Sequence, residues 1–308
     1  MKLNLEKWPN NEMSTVERRA FQQICTRTGK IFVIAMDQRN GMRKLLSDDE
    51  KVLASIDQKE LGIVKARLVK HLGNQAPAVL LDPECALPMV IDEGVLARDT
   101  ALVVGMDASG YDTEPGTQLR QSKIISGINP RRVRELGGTA AKMLAFMRPD
   151  QKGNDRFATR LINNTVNACI AEAVLLVVEI LVYRLPGETE EEYQRCKPEL
   201  IVEAARVCAE NGAKVLKLQY PGSAEACEKI TAVLDGIPWA VLSEGVNHET
   251  FIKQLRIAMD AGASGAIAGR SLWKDCVSLD PADMQSRLET IAVPRLHEIL
   301  AVLDSRKS

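Results

Sequence analysis

Eight short apolar segments recur along the chain, and helical patterns lie between several of them. The segments are residues 31–38, 76–84, 101–107, 140–147, 173–181, 215–221, 238–245 and 265–272. Near-continuous apolar runs of this length are typical of strands that are buried on both faces, as parallel strands are. Eight such strands predict an α/β fold, a (β/α)8 TIM barrel with right-handed crossovers. A doubly wound sheet is the second choice, because no GxGxxG motif follows the first strand.

Helical patterns separate the later strands. Residues 198–213 have apolar residues at helical spacing and Gly212 at the C-cap, and residues 247–263 begin with Asn247 as an N-cap. The chain contains no Gly-, Pro- or Ser-rich linker and no low-complexity tract. We therefore expect a single barrel domain over residues 1–308.

Helical extensions are expected on both sides of the barrel. Ser14 and Glu17 have the spacing of a capping box, which predicts a helix before the first strand. Asp280 and Pro281 form a cap followed by proline, which predicts a final helix that runs to Leu303.

Charge and composition exclude several classes of partner. The chain has 40 Lys and Arg against 41 Asp and Glu, a formal net charge of −1, and 4% aromatic residues. This balance lacks the positive field of a protein that binds nucleic acid or a membrane surface. The opening segment is polar and does not resemble a signal peptide, and the apolar run at 173–182 is far too short to span a membrane. We expect a soluble, cytoplasmic protein.

Cysteines and histidines show no metal-binding spacing. The seven cysteines are scattered without a CxxC pair, and His71, His248 and His297 form neither HxH nor HExxH. This pattern disfavours a disulfide framework and a zinc site. No metal and no cofactor are predicted.

Three charged residues lie inside apolar strands, where a barrel assembles its site near the carboxyl ends. Lys217 lies between Leu216 and Leu218, Lys142 lies in the fourth strand and Glu179 in the fifth. Burial and a neighbouring cation would favour a neutral Lys217 amine able to attack a carbonyl. Burial could raise the pKa of Glu179 enough for proton transfer. The alternative for all three is a structural ion pair.

Lys142 has two further interpretations. It could supply the cation that acts on Lys217, or it could bind an anion of the substrate. Lys214, three residues before Lys217, is expected at a helix-to-strand turn and in solvent.

Polar residues also end the first two strands. Asp37 and Gln38 lie at the end of the first predicted strand and Asp82 at the end of the second, so we expect all three at the barrel mouth. Asp37 would take part in catalysis, and Gln38 and Asp82 would bind substrate. Capping of the loops that follow is the alternative for Asp37 and Asp82.

The last two strands end in segments suited to phosphate. The seventh predicted strand ends in a segment with Ser243 and Gly245, and the eighth in a segment with Gly269 and Arg270. Small residues let backbone N–H groups approach a phosphate, and arginine adds a charge-assisted fork. Phosphate sites built from these two loops recur in barrels of this type.

Several of these segments together resemble one family. They are AMDQRNGMRKLL, LLDPECALPMV, ASGYD, VLKLQYP, PWAVLSEGV and AGASGAIAGRSLW. Over about Phe32 to Trp273 the chain resembles the class I tagatose-1,6-bisphosphate aldolases and the related sulfofructosephosphate aldolases. The resemblance implies a barrel that cleaves a phosphorylated ketose into dihydroxyacetone phosphate and a three-carbon aldehyde through a lysine Schiff base, without a cofactor.

The resemblance also implies residue roles. The Schiff-base lysine falls on Lys217, the proton-transferring glutamate on Glu179, the second active-site lysine on Lys142 and the strand-one aspartate on Asp37. The phosphate-binding segments match Ser243, Gly269 and Arg270.

The chain departs from the family pattern at two positions near these residues. Gln219 stands where the family commonly has glutamate, and Glu244 where it usually has a small residue. These departures concern the identity of the substrate more than the chemistry.

Two other functions fit a phosphosugar barrel. In an isomerase or epimerase, Glu179 would move a proton and Lys217 would only bind an anion. A sugar-phosphate sensor would bind ligand without turnover. Barrels of this type often associate, so a homo-oligomer is compatible with the sequence.

Overall fold

The structure is a computed structural model that describes residues 13–151 and 156–305. Residues 1–12, which carry most of the polar opening segment, lie outside this part. Eight parallel strands close into a barrel in the spatial order β1-β10-β9-β8-β7-β6-β3-β2, which confirms the predicted fold. The barrel strands are β1 (Ile31–Ala35), β2 (Ala78–Leu81), β3 (Ala101–Gly105), β6 (Ala140–Phe146), β7 (Leu175–Leu181), β8 (Val215–Leu218), β9 (Trp239–Leu242) and β10 (Gly265–Ala268).

Helices cover the outside of the barrel. They are α1 (Thr15–Gln23), α2 (Asn40–Leu46), α3 (Glu50–Ser55), α4 (Gln58–His71), α5 (Ala86–Asp92), α6 (Pro130–Glu135), α7 (Arg156–Ala171), α8 (Glu190–Glu210), α9 (Ala224–Leu234), α10 (His248–Asp260), α11 (Arg270–Trp273), α12 (Pro281–Arg287) and α13 (Val293–Asp304). A 3₁₀ turn covers Gly73–Gln75, and a π-helical turn at Leu288–Ala292 joins α12 to α13. Within 13–151 and 156–305, no helix has both the length and the apolar character that a membrane span requires.

Alternate residues of each strand fill the barrel interior. Val33 and Ala35 of β1 lie there with Leu175, Val177 and Val215 in one buried cluster. A second cluster lies between the strands and the helices, so both faces of the sheet are buried. Because the side-chain period of a strand is two, residues further along the same alternation also face the barrel axis.

Helix α1 packs against the interior cluster through Phe21. The predicted capping box is present: the Ser14 hydroxyl accepts from the Glu17 N–H at 3.4 Å, and the Glu17 carboxylate accepts from the Ser14 N–H at 2.7 Å. The same carboxylate binds the Lys214 ammonium at 2.7 Å. The expectation that Lys214 is solvated is therefore wrong, because α1 brings a buried carboxylate to it.

A β-hairpin that the apolar pattern does not predict follows β3. Its strands, β4 (Asp107–Thr113) and β5 (Arg120–Ile124), form a separate antiparallel sheet before β6. Most of β4 is exposed, so its sequence has no apolar alternation that would mark it as a strand. The hairpin places Arg120 over the end of the barrel where β6 and β7 finish, beside Phe146.

Two helices differ from the sequence prediction. Helix α8 begins at Glu190, eight residues before the predicted start, because Thr189 and Glu192 form a capping box. Pro198 therefore lies inside the helix. The predicted C-terminal extension is confirmed, but it is divided into α12, the π-helical turn and α13.

The strands also end earlier than predicted. β1 ends at Ala35 and β2 at Leu81, so Asp37 and Asp82 belong to the loops that follow. This leaves the polar residues free to turn towards the cavity or away from it.

Candidate active site

Glu179 and Lys217 lie side by side on neighbouring strands. The register of β7 and β8 pairs Glu179 directly with Lys217, and both follow interior residues by two positions. The Lys217 Nζ lies 2.9 Å from Oε1 of Glu179, and the two side chains are 5% and 10% exposed. The strand alternation thus brings a lysine and a carboxylate together at the carboxyl end of the barrel.

Lys142 lies behind this pair and contacts three carboxylates. Its Nζ is 2.5 Å from Glu179 Oε2, 2.9 Å from Asp107 Oδ1 and 3.1 Å from Asp37 Oδ2. Burial alone would lower the pKa of Lys142, but the three negative charges outweigh it and raise the pKa well above its usual value. Lys142 is therefore a permanently charged ammonium with its three protons directed at carboxylates.

The pKa of Glu179 is shifted in the opposite direction, by the lysines that contact it. Burial would raise the pKa of Glu179, but the positive charges of Lys142 and Lys217 outweigh burial and lower it. The expectation of a raised pKa is wrong, because the sequence did not show that two lysines would contact one carboxylate. Glu179 is an ionised carboxylate, which suits a base.

Asp107 is a member of this cluster that the sequence interpretation did not select. It accepts hydrogen bonds from Lys142 and from the backbone N–H of Leu144 at 3.2 Å. Burial, together with the negative charges of Asp37 and Glu179, raises the pKa of Asp107 despite the attraction of Lys142. A carboxylate shortly after an apolar strand is the same signal that selected Asp37.

Asp37 and Gln38 form the link between the buried cluster and the cavity. Burial would raise the pKa of Asp37, but Lys142 and Lys217 lower it to about 2. The Gln38 amide Nε2 donates to Asp37 Oδ1 at 3.1 Å. Its Oε1 is buried, and no described residue donates to it. Gln38 therefore offers a fixed acceptor at the wall of the cavity.

A cavity of about 380 Å³ opens at the carboxyl end of the barrel. Seven of the ten predicted site residues line it: Gln38, Glu179, Lys217, Ser243, Gly245, Gly269 and Arg270. Lys142 and Asp37 do not line it and reach it through Glu179 and Gln38. The lysine that faces the cavity is Lys217.

The loops after β9 and β10 meet on one side of this cavity. The Gly269 N–H donates to the Ser243 hydroxyl at 3.4 Å, and Lys274 Nζ donates to the Gly245 carbonyl at 2.7 Å. Gly245 has φ of +79°, which glycine adopts without strain. A side chain there would approach the Arg270 guanidinium to about 3.4 Å. The sequence-predicted phosphate residues thus come together at one end of the cavity.

Asp82 is not brought to the cavity. Its side chain binds the fully buried Lys65 ammonium and accepts from the backbone N–H groups of Glu84 and Cys85 at 3.1 and 2.9 Å. Burial would raise the pKa of Asp82, but Lys65 and these hydrogen bonds lower it. The geometry matches the loop-capping alternative, because α4 supplies a lysine behind β2.

The two departures from the family pattern contact each other. Gln219 Nε2 donates to Glu244 Oε1 at 2.6 Å, and Gln219 Oε1 accepts from the Val182 N–H at 2.8 Å. Lys197 Nζ lies 3.2 Å from both oxygens of Glu244. The Glu244 charge is thus neutralised by α8 instead of facing the phosphate loops unpaired.

Across 13–151 and 156–305, no group of three or more His, Cys, Asp or Glu side chains is placed to hold a metal ion. The seven cysteines are free, and six of them are buried.

Fold and site together define an α/β-barrel enzyme with a lysine–carboxylate centre at the carboxyl end of its strands. Residues 31–275 match the model of the DeoC/LacD family aldolase, and the chain belongs to this family. The protein is accordingly a carbon–carbon lyase.

Its relatives include several named aldolases. The chain is 26% identical over 289 residues to the tagatose 1,6-diphosphate aldolase of Lactococcus lactis subsp. lactis, covering 85% of this chain and 86% of that protein. It is 25% identical over 316 residues to tagatose 1,6-diphosphate aldolase 2 of Streptococcus agalactiae, covering 93% and 95%.

Solved structures share the fold at lower identity. A Schiff-base-forming fructose-1,6-bisphosphate aldolase superposes with a TM-score of 0.61 at 18% identity, covering 90% of this chain and 99% of that one. The fructose-bisphosphate aldolase of Slackia heliotrinireducens superposes with a TM-score of 0.63 at 17% identity, covering 96% and 93%.

Proposed function

We propose that the protein is a class I aldolase that cleaves a ketose carrying a phosphate on C1, of the tagatose or fructose 1,6-bisphosphate type. The observation that carries the proposal is the different surroundings of the two buried lysines at the site, Lys142 and Lys217. Lys142 is held by three carboxylates away from the cavity, whereas Lys217 lines the cavity beside one carboxylate. Lys217 is therefore the amine that can reach a carbonyl.

In the proposed reaction, the Lys217 ammonium first passes a proton to Glu179, 2.9 Å away, and the resulting neutral amine attacks the C2 ketone. Glu179 returns the proton as water leaves, which gives an iminium ion and an ionised Glu179. When the C3–C4 bond breaks, the iminium accepts its electron pair and becomes an enamine. Glu179 takes the proton of the C4 hydroxyl, since it is ionised and 2.9 Å from the attacking nitrogen. Protonation and hydrolysis of the enamine then release dihydroxyacetone phosphate and restore the amine.

The other members of the cluster would orient and bind the substrate. Lys142 keeps Glu179 ionised, and Asp37 fixes both Lys142 and the Gln38 amide. The free Gln38 Oε1 would accept a hydrogen bond from a substrate hydroxyl. The C1 phosphate would bind between Ser243 and the loop of Gly269 and Arg270.

A substrate panel tests the proposal. Tagatose and fructose 1,6-bisphosphates, their 1-phosphates and sulfofructose 1-phosphate are incubated with the protein, and release of dihydroxyacetone phosphate is measured. Release from at least one of them, without added metal, is the expected result. Interconversion of the sugars without cleavage would indicate the isomerase or epimerase, and binding without any conversion would indicate the sensor.

A further inference from the structure

Arg120 lines the cavity and has no part in the proposed mechanism. It lies at the start of β5, in the hairpin that the apolar pattern does not predict. Its guanidinium carbon is 4.4 Å from the ring centre of Tyr111, 4.5 Å from that of Tyr183 and 5.5 Å from that of Phe146. The backbone N–H of Arg120 also donates to the Tyr183 hydroxyl at 2.9 Å.

The three aromatic rings also pack against one another. The ring centres of Tyr111 and Phe146 are 5.1 Å apart and those of Phe146 and Tyr183 are 6.0 Å apart, both pairs in edge-to-face geometry. A guanidinium stacked on rings keeps its N–H donors at its edge, where they can form a bidentate pair with an oxyanion. Arg120 is therefore preorganised to bind one.

Arg120 has no carboxylate partner among the described residues: within 13–151 and 156–305, none lies within ion-pair distance of its guanidinium. The neighbouring Arg184 lines the same two cavities but differs, because its guanidinium binds Glu190 at 3.5 Å and the Glu188 carbonyl at 2.6 Å. Arg148 likewise binds Asp150.

Arg120 faces the catalytic cavity from the side opposite the phosphate loops. It lines the same cavity as Lys217 and Glu179, and also an adjoining cavity of about 420 Å³. Arg270 follows β10, whereas Arg120 packs on Phe146 at the end of β6, with β9, β8 and β7 lying between β10 and β6. Lys217, on β8, is thus flanked by two guanidinium groups.

We propose that Arg120 binds a terminal oxyanion on the aldehyde half of the substrate. The ketose would extend across the barrel mouth, with its C1 phosphate at Arg270, its carbonyl at Lys217 and its second anion at Arg120. This inference rests on the proposed aldolase function. It makes Arg120 a determinant of specificity and assigns the enzyme substrates that are charged at both ends, with either a phosphate or a sulfonate at the far end.

The test compares Arg120→Gln with the wild type and with Arg184→Gln, a matched removal of a neighbouring guanidinium that is already bound to Glu190. Arg120→Gln should lower kcat/KM roughly 10- to 100-fold for substrates with a second anion, mainly through KM. Its kcat/KM for ketose 1-phosphates should stay within about threefold of the wild type. Arg184→Gln should show no such difference between the two substrate groups.

The two sources of the anion are separated in the same assay. If Arg120→Gln lowers kcat/KM more for the bisphosphates, the anion that Arg120 binds is a phosphate. If it lowers kcat/KM more for sulfofructose 1-phosphate, that anion is a sulfonate. Equal losses on mono- and doubly anionic substrates, or no loss on either, would overturn the inference. Arg120→Lys, which keeps the charge without the planar fork, should lie between Arg120→Gln and the wild type.

Binding measured in a Lys217→Met background keeps this inference separate from the proposed function. There, Arg120→Gln should weaken calorimetric binding of fructose 1,6-bisphosphate and leave that of fructose 1-phosphate unchanged. That result would support the Arg120 site even if the wild type cleaved no ketose. Cleavage by the wild type with unchanged binding in the double variant would reject the site and keep the aldolase.

Discussion

Gln219 Nε2 donates a 2.6 Å hydrogen bond to Glu244 Oε1, on the wall of the cavity that holds Lys217. These are the two positions at which the chain departs from the family pattern. The Gln219 amide can donate a hydrogen bond to the Glu244 carboxylate, whereas an ionised glutamate at position 219 could not. A glutamate at 244 therefore favours glutamine over glutamate at 219. The departures are thus one coupled change, completed by Lys197 from α8.

Gln219→Glu alone is expected to lower the free energy of unfolding by about 2 kcal/mol, because it sets a buried carboxylate at position 219 against the partly exposed carboxylate of Glu244. Combining it with Glu244→Gln restores one amide and one carboxylate and should recover at least half of that loss. Urea unfolding of the wild type, the two single variants and the double variant gives the coupling energy. Additive losses would show that the two residues are independent.

Lys142→Met should be costly in two ways. It leaves Asp37, Asp107 and Glu179 without their common cation, so we expect a loss of about 3–5 kcal/mol of stability. The pKa of Glu179 should also rise, so the acid limb of the kcat profile should move to higher pH. Lys142→Arg, which keeps the charge, serves as the control. A folded Lys142→Met enzyme with an unmoved acid limb would contradict this role.

The depressed pKa of Asp37 predicts pH-dependent stability. The pKa is about 2 in the folded protein and about 3.9 in an unfolded chain, so the stabilisation is complete above pH 4 and is lost as pH falls towards 2. Asp37→Asn should cost about 2 kcal/mol at pH 7 and roughly half as much at about pH 3. Urea unfolding of both proteins at the two pH values measures this. If the difference in free energy of unfolding between the wild type and Asp37→Asn grew as the pH fell, it would contradict a lowered pKa of Asp37.

Asp82→Ala separates a structural role from a role in substrate binding. It would leave the fully buried Lys65 without its carboxylate, which should cost about 3–5 kcal/mol. The kcat/KM of the folded fraction should remain within about threefold of the wild type. Glu84→Ala, which removes the more exposed carboxylate paired with Arg39, should cost less than about 1 kcal/mol. If Asp82→Ala had normal stability and a large loss of kcat/KM, Asp82 would be a substrate-binding residue and not a structural one.

The barrel and the centre of the site could be predicted from the sequence because both depend on local patterns. Apolar runs identify buried strands, and the alternation along a strand fixes which charged residues face the axis. Lys142, Glu179 and Lys217 follow from that rule alone.

What could not be predicted depends on partners distant in sequence. The direction of the Glu179 pKa shift required the contacts to Lys142 and Lys217 together. Asp82 turned to Lys65 instead of the cavity, although its position after a strand is like that of Asp37. The Arg120 hairpin has no apolar period, because its aromatic residue, Tyr111, packs on Arg120 instead of a core.

Borohydride trapping tests the central claim, the Schiff base on Lys217, most directly. The protein is incubated with a ketose phosphate that it cleaves, or with dihydroxyacetone phosphate, and reduced. The modified residue is then located by peptide mass spectrometry. We predict one substrate-dependent adduct, on Lys217, and none in Lys217→Met, which should stay folded and lose essentially all cleavage. An adduct on Lys142, or appreciable cleavage by folded Lys217→Met, would contradict the assignment.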